Sequence, residues 1–223
     1  MIDIKSSLKL IDHTLLKPDA KEKDIETLCA EAVKYGFCSA MVQPHYTLLA
    51  SNYLKGTGVI AATVVGFPFG SVDTEIKEHE AETAENYGAE EVDMVMNIAA
   101  FKNREYDYVA RDIEIVKRKI KIPLKVIIES CLLTEDEMKK AVKICIGSGA
   151  DFVKTSTGCS FSGATEDAVR LLKKEAGNRI KVKASGGIRC TDDFLRMVAA
   201  GADRIGTSNG VKIAEGLKID GEY

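Results

Sequence analysis

Two lysines lie in runs of strand type, where a charged amine is out of place: Lys154 in DFVKTSTG and Lys183 in RIKVKASGGIR. A buried ammonium must be paired or lose its proton, so two of them facing one interior point to chemistry before packing. The chemistry is nucleophilic. An amine attacks a carbonyl only when unprotonated, and a lysine of ordinary pKa, about 10.4, is neutral less than about one time in a thousand at neutral pH. A second ammonium about 4–6 Å away contributes roughly 3–4 kcal/mol of repulsion at an effective dielectric of about 20, or about two to three pKa units. On this basis Lys183 activates Lys154 almost unaided. Asp93, in EVDMVMN, is the candidate proton relay as a carbinolamine dehydrates and an enamine forms. The same spacing also fits a plainer arrangement, in which both lysines only pair with interior carboxylates such as Asp93 or Glu129.

The elements that must position these groups follow a regular rhythm. Short β-branched or apolar runs alternate with amphipathic stretches about every 25 residues, the pattern of βα units on a parallel sheet. Eight strands are expected, at 8–14, 37–43, 59–66, 91–97, 124–130, 151–156, 180–185 and 203–208. A helix is expected over 74–88, capped by Asp73 and Gly88, with Ile76, Glu80, Thr83, Ala84 and Tyr87 near one face. Further helix stops fall at Gly36, Gly149, Gly177 and Gly201, and YGAEEVDMV, GSGADFVKT and AAGADRIGT repeat one glycine-then-acid entry into a strand. Eight units in 223 residues, without the GxGxxG of an open doubly wound sheet, predict an α/β (β/α)₈ barrel as one domain over 1–223. Strand alternation puts Asp93, Val95 and Asn97 on one face, Phe152 and Lys154 on one, and Lys181 and Lys183 on one, so Asp93, Lys154 and Lys183 are expected to converge inside.

Composition narrows the class. The chain is 45% hydrophobic and 29% charged with a formal net charge of −3, and its charge clusters are mixed in sign, so no tract fits nucleic acid. Six scattered cysteines without CxxC, and no apolar run near a membrane span or signal peptide, predict a soluble cytoplasmic protein with reduced thiols. His13, His45 and His79 are too dispersed for a metal triad, and neither metal nor organic cofactor is expected. His13 is expected to fix the first strand's loop through a hydrogen bond. The stretches 184–189 and 204–210 end strands seven and eight and precede helices, where this fold commonly builds a phosphate site. The candidate donors are the amides of Gly186, Gly187, Gly206, Ser208 and Asn209 and the Ser208 hydroxyl, with Thr157, Gly158 and Ser160 from the loop after strand six. A phosphorylated substrate is implied, although glycines there also serve tight turns.

IDHTLLKP (11–18), VVGFPFG (64–70), EVDMVMN (91–97), KVIIESCLLT (125–134), FVKTSTG (152–158), KASGGIR (183–189) and RIGTS (204–208), in order and nearly end to end, resemble the motifs of the deoxyribose-phosphate aldolase family. The resemblance implies a metal-free class I aldolase on a (β/α)₈ barrel that reversibly cleaves 2-deoxy-D-ribose 5-phosphate to acetaldehyde and glyceraldehyde 3-phosphate. It makes Lys154 the Schiff-base lysine, Lys183 its pKa-lowering neighbour and Asp93 the relay, and puts Asp12, Thr14 and Cys38 at substrate-pocket positions. Glu129 has a supporting place, orienting Lys154 or a water, and Tyr223 a place on a terminal tail that can fold over the site. Cys38 also reads as a small core residue, although a place near the end of strand two would let an aldehyde reach its thiol. A homodimer or homotetramer is the expectation by analogy. The chain departs from the family pattern at Ser130, Cys159 and Asn209. Two rivals remain at this stage: another phosphosugar lyase, isomerase or transaldolase on the same barrel, and a non-catalytic binding barrel.

Overall fold

The computed structural model describes residues 4–220. In chain order it runs α1 (Ile4–Leu8), β1 (Ile11–Leu15), α2 (Glu22–Tyr35), β2 (Ser39–Val42), α3 (Thr47–Leu54), β3 (Ile60–Val65), α4 (Thr74–Asn86), β4 (Glu91–Val95), α5 (Ile98–Lys102), α6 (Tyr106–Lys119), β5 (Leu124–Ile127), α7 (Glu135–Gly147), β6 (Phe152–Lys154), α8 (Glu166–Ala176), β7 (Lys181–Ser185), α9 (Thr191–Ala199), β8 (Arg204–Thr207) and α10 (Gly210–Asp220). The strands pair in sequence order, all parallel, and β8 closes on β1. The expected barrel is present. Each strand is shorter than its sequence run, because the flanking residues of each run, such as 155–156 after β6, turn into the loops.

Local chemistry explains the helix ends. Thr134 opens α7 with a reciprocal pair: its hydroxyl accepts the Glu137 N–H, and the Glu137 carboxylate accepts the Thr134 N–H at 2.8 Å. Gly36 ends α2 at φ +69°, a conformation that favours glycine, and its N–H reaches the last carbonyls of the helix. One expectation about α4 is overturned. Ile76 and Tyr87 are exposed, and the inward face is Lys77, Ala81 and Ala84. The cause is a fully buried ion pair, Lys77 Nζ to Asp112 Oδ2 at 2.6 Å, which turns the helix so that Lys77 meets α6. Asp73 stands at the N-cap without a side-chain cap bond, and the C-cap is Tyr87, one residue before Gly88.

Alternation along the strands sorts the core into two regions. Outward residues such as Val92, Met94, Met96, Val126, Val153 and Val182 pack with the helices in one large apolar cluster. Burying each such side chain is worth about 1.5–3 kcal/mol, so this outer shell carries the stability. The inside is different. Met41, Ala62 and Val64 form a small apolar patch with Leu16 and Phe67, and much of the remaining interior is charged. Among the described residues no helix is long and apolar enough to cross a membrane.

Candidate active site

The register of the sheet sets the site. Lys154 on β6 lies beside Lys183 on β7, and beside Ile127 on β5, while Asp93 on β4 pairs with Lys125 on β5. All four polar side chains have the inward parity. Asp93 sits between the amines: its Oδ2 accepts from Lys154 Nζ at 2.8 Å and from Lys183 Nζ at 2.6 Å, and its Oδ1 accepts from Lys125 Nζ at 2.9 Å. Lys183 Nζ also lies 2.6 Å from Asp12 Oδ2. Lys125 Nζ reaches Glu91 at 2.7 Å, and Arg204 spans Glu91 and Asp12 at 2.9 and 2.8 Å. Ser39 donates to Asp12 Oδ1 at 2.7 Å.

This chain of contacts holds four bases, Lys125, Lys154, Lys183 and Arg204, and three acids, Asp12, Glu91 and Asp93. With all seven ionised it carries one surplus positive charge in a region almost without water, which favours release of one proton. Lys154 is the group that yields. Burial is the main force lowering its pKa, to about 8; the Asp93 carboxylate opposes, and the Lys183 and Lys125 ammoniums add to the fall. The expectation that Lys183 alone activates Lys154 is thereby corrected: loss of hydration comes first, and the neighbouring cations tip a balance that Asp93 resists. Burial alone would raise the pKa of Asp93, but Lys125, Lys154 and Lys183 outweigh it and hold the carboxyl well below its usual range. Lys125 is also losing hydration, yet Asp93, Asp12 and Glu91 raise its pKa, so it stays charged. Access separates the two central amines: Lys154 keeps 3% of its surface exposed, whereas Lys183 and Asp93 keep 0%. Only the first is placed to meet a substrate.

A depressed, reachable amine beside a buried charged amine and a shared carboxylate is the equipment for Schiff-base chemistry. Residues 6–217, nearly the whole chain, match the model of the DeoC/LacD family of aldolases. The chain belongs to that family. Over 209 residues this DeoC/LacD aldolase is 51% identical to the deoxyribose-phosphate aldolase of Finegoldia magna, covering 93% of this chain and 98% of that one. The solved aldolase QR15 superposes with a TM-score of 0.93 at 44% identity, over 98% of this chain and 97% of its own. A tetrameric deoxyribose phosphate aldolase from Aeropyrum pernix superposes at 0.90 and 37%, over 97% and 92%.

Several residues of this aldolase sit differently from expectation. Asp12 is fully buried among Lys183, Arg204 and Ser39, so it is a counter-ion of Lys183 with no surface left for substrate. The Thr14 hydroxyl donates to the Asp12 carbonyl at 2.8 Å. Cys38 precedes β2, at the strand's N-terminal end, whereas the loops that follow the strands leave from the opposite end. Burial first, with help from Asp12, pushes its thiol up to about 11, so it is no nucleophile at neutral pH. The residues that face inward from β2 are Ser39 and Met41. Glu129 does not orient Lys154: its carboxylate accepts the Thr157 hydroxyl at 2.5 Å and the Thr157 amide at 3.3 Å, tying the loop after β5 to the loop after β6. That leaves the Thr157 amide engaged. The Asn209 amide is likewise taken, donating to Thr207 Oγ1 at 2.9 Å. Gly206 lies inside β8, where an added Cβ would press on the Lys183 stem at 3.1 Å, so its task is clearance for that lysine. His13 bonds Glu31 of α2 at 2.8 Å, as a strand anchor should. Tyr223 lies outside the described residues.

The loops after β6 and β7 are joined closely. Ala164 N–H donates to the Ser185 and Gly186 carbonyls at 3.0 Å, and a Cβ on Gly163 would overlap the Gly186 carbonyl. Gly158 and Gly186 stack on the same spot, the latter at φ +81°. Gly187 faces open space, and Ser208 is exposed just before the start of α10. Lys125, Glu91 and Arg204 are the network members to which sequence gave no role. Parity was the available signal, since Glu91 shares a face with Asp93, and Arg204 with Gly206.

Proposed function

We propose that this chain reversibly cleaves 2-deoxy-D-ribose 5-phosphate to acetaldehyde and D-glyceraldehyde 3-phosphate through a Schiff base on Lys154. The observation that carries this is one carboxylate oxygen, Asp93 Oδ2, held between a reachable amine of depressed pKa and a buried one. Family membership and the activity named for the relatives supply the substrate.

The steps follow from that geometry. Neutral Lys154 Nζ adds to the C1 aldehyde, and the carbinolamine loses water to give a protonated imine. Removal of the C3 hydroxyl proton then lets the C2–C3 electron pair flow into the imine. Glyceraldehyde 3-phosphate leaves and an enamine stays on Lys154. Protonation of that enamine at C2 and addition of water release acetaldehyde and the free amine. Asp93, one hydrogen bond from Lys154, and Lys183, bonded to the same Asp93 oxygen, hold and return the protons at each turn. The phosphate is received by the amides of Gly158, Gly186 and Gly187 and the Ser208 group, beside the N-terminus of α10.

Sodium borohydride added with acetaldehyde is expected to fix a two-carbon adduct on the peptide containing Lys154, and an enzyme-coupled assay is expected to register glyceraldehyde 3-phosphate from deoxyribose 5-phosphate. An unlabelled Lys154 in an active protein would refute the mechanism. Gly163→Ala is expected to raise KM for the phosphorylated sugar at least about tenfold, because the new methyl separates the loops after β6 and β7, while kcat changes less. An unchanged KM would remove those loops from phosphate binding. We also read residues 1–223 as one catalytic unit, since a single barrel accounts for the described residues 4–220, and as a cytoplasmic homo-oligomer. The six free thiols suit a reducing compartment, and the tetrameric Aeropyrum relative supports assembly.

A further inference from the structure

The barrel interior beneath Lys154 contains more charge than the proposed reaction needs. Lys125 is fully buried, touches no part of the loops, and bonds two acids of β4, Glu91 and Asp93. Glu91 in turn is gripped twice by Arg204. Glu91 and Arg204 open β4 and β8, so these groups lie toward the N-terminal ends of the strands, away from the loops that follow β6 and β7.

Their geometry has a specific effect on Asp93. With Lys125 on Oδ1, the carboxylate has only Oδ2 left for the two lysines above it, and its plane cannot turn. Facing Lys154 and its partners from the surrounding strands are Asp12 on β1, the neutral Ser39 on β2, apolar Ala62 and Val64 on β3, Glu91 and Asp93 on β4, Lys125 on β5, Lys183 on β7 and Arg204 on β8. Glu129 stands apart, bonded to Thr157. We propose that Lys125 and Glu91 are positioning residues which, without touching substrate, orient Asp93 and set the charge balance that keeps Lys154 able to react. This rests on the assignment of Lys154 as the Schiff-base lysine.

Opposite charges at the two positions give opposite predictions. Lys125→Met removes a cation, leaving three bases against three acids, so Lys154 retains its proton to higher pH. Glu91→Gln removes an acid and worsens the cationic surplus, so Lys154 releases its proton at lower pH. The readout is the rate of borohydride-trapped acetaldehyde labelling on Lys154 across ~pH 6 to 10, with thermal unfolding measured alongside. The acid-side midpoint is expected to rise by about one unit or more in Lys125→Met and to fall by a similar amount in Glu91→Gln. Lower melting temperatures with the parent's midpoint unchanged, or midpoints that move in the same direction, would overturn the proposal by showing a merely structural role. Should Lys125→Met not fold, the near-isosteric Glu91→Gln decides alone, a downward shift supporting and an unmoved midpoint refuting. A parent protein that takes no label on Lys154 sinks the assignment of that lysine and this proposal with it, whereas a labelled parent with unmoved variants sinks only this one.

Discussion

Lys154→Met is expected to be inactive and more stable than the parent. Loss of activity follows from removing the proposed Schiff-base amine, and borohydride labelling should vanish with it. The gain in stability comes from linkage. In the folded protein Lys154 has its pKa lowered to about 8, chiefly by burial, from an ordinary value of 10.5. A base with a depressed folded pKa binds its proton less readily folded than unfolded, so it opposes folding fully below about pH 8 and ceases to do so above about 10.5. The difference of about 2.5 units corresponds to something of the order of 3 kcal/mol, which methionine removes while filling much of the same space. Chemical denaturation at pH 7 and again near pH 10.5 is the test. The advantage of the variant should be large at the first and nearly absent at the second. An equal advantage at both would mean that packing, with no contribution from the charge, made the difference.

Lys183→Met should cost several orders of magnitude in kcat, with part of the loss recoverable by raising the pH. Without Lys183, Asp93 and Asp12 each lose an ion-pair partner at 2.6 Å, and the surplus of one positive charge around Lys154 becomes an even balance. Its pKa then rises toward 10.5 while burial still opposes, and a full return would lower the neutral fraction at pH 7 from about one tenth to about three in ten thousand, so charge accounts for at most about 300-fold. Loss of the relay multiplies that figure. Stability should also fall by about 3–5 kcal/mol, since two buried carboxylates keep fewer partners. A pH–rate profile decides between the parts. If the variant's rate stays flat from neutral to alkaline pH, Lys183 does not govern the protonation of Lys154.

The meeting of the proposed catalytic trio was legible because strand parity is a strong signal. Asp93, Lys154 and Lys183 each interrupt an apolar run, and period-two alternation puts all three inside once the fold is a closed barrel. Their common oxygen was not legible, since which atoms meet depends on register and rotamers. The lower half of the network escaped for a different reason. Glu91 and Arg204 stand at the first positions of their strands, where charges are usually solvated, so they carried no sign of an interior role. Lys125 shares a face with Glu129, but sequence could not show that Glu129 is drawn away to Thr157 while Lys125 is drawn down to Glu91. Cys38 and Gly206 show the same gap: the cysteine lies at the N-terminal end of strand two in the expected range 37–43 as in the observed one, away from the loops that follow the strands, and a glycine assigned to ligand binding proved to make room for a lysine. Helix α4 was misjudged because a buried lysine–aspartate pair, invisible to hydrophobic periodicity, sets its rotation.

The contact of Gly163 with Gly186 reaches beyond this molecule to its lineage. Two crossings of backbone this close leave no slack for either segment to drift alone. An insertion in one, or a side chain acquired at 163 or 186, would have to be answered in the other. Among descendants of this gene, those two positions should therefore change together or stay silent, while the exposed tip at Phe161, free of that bond, varies at will.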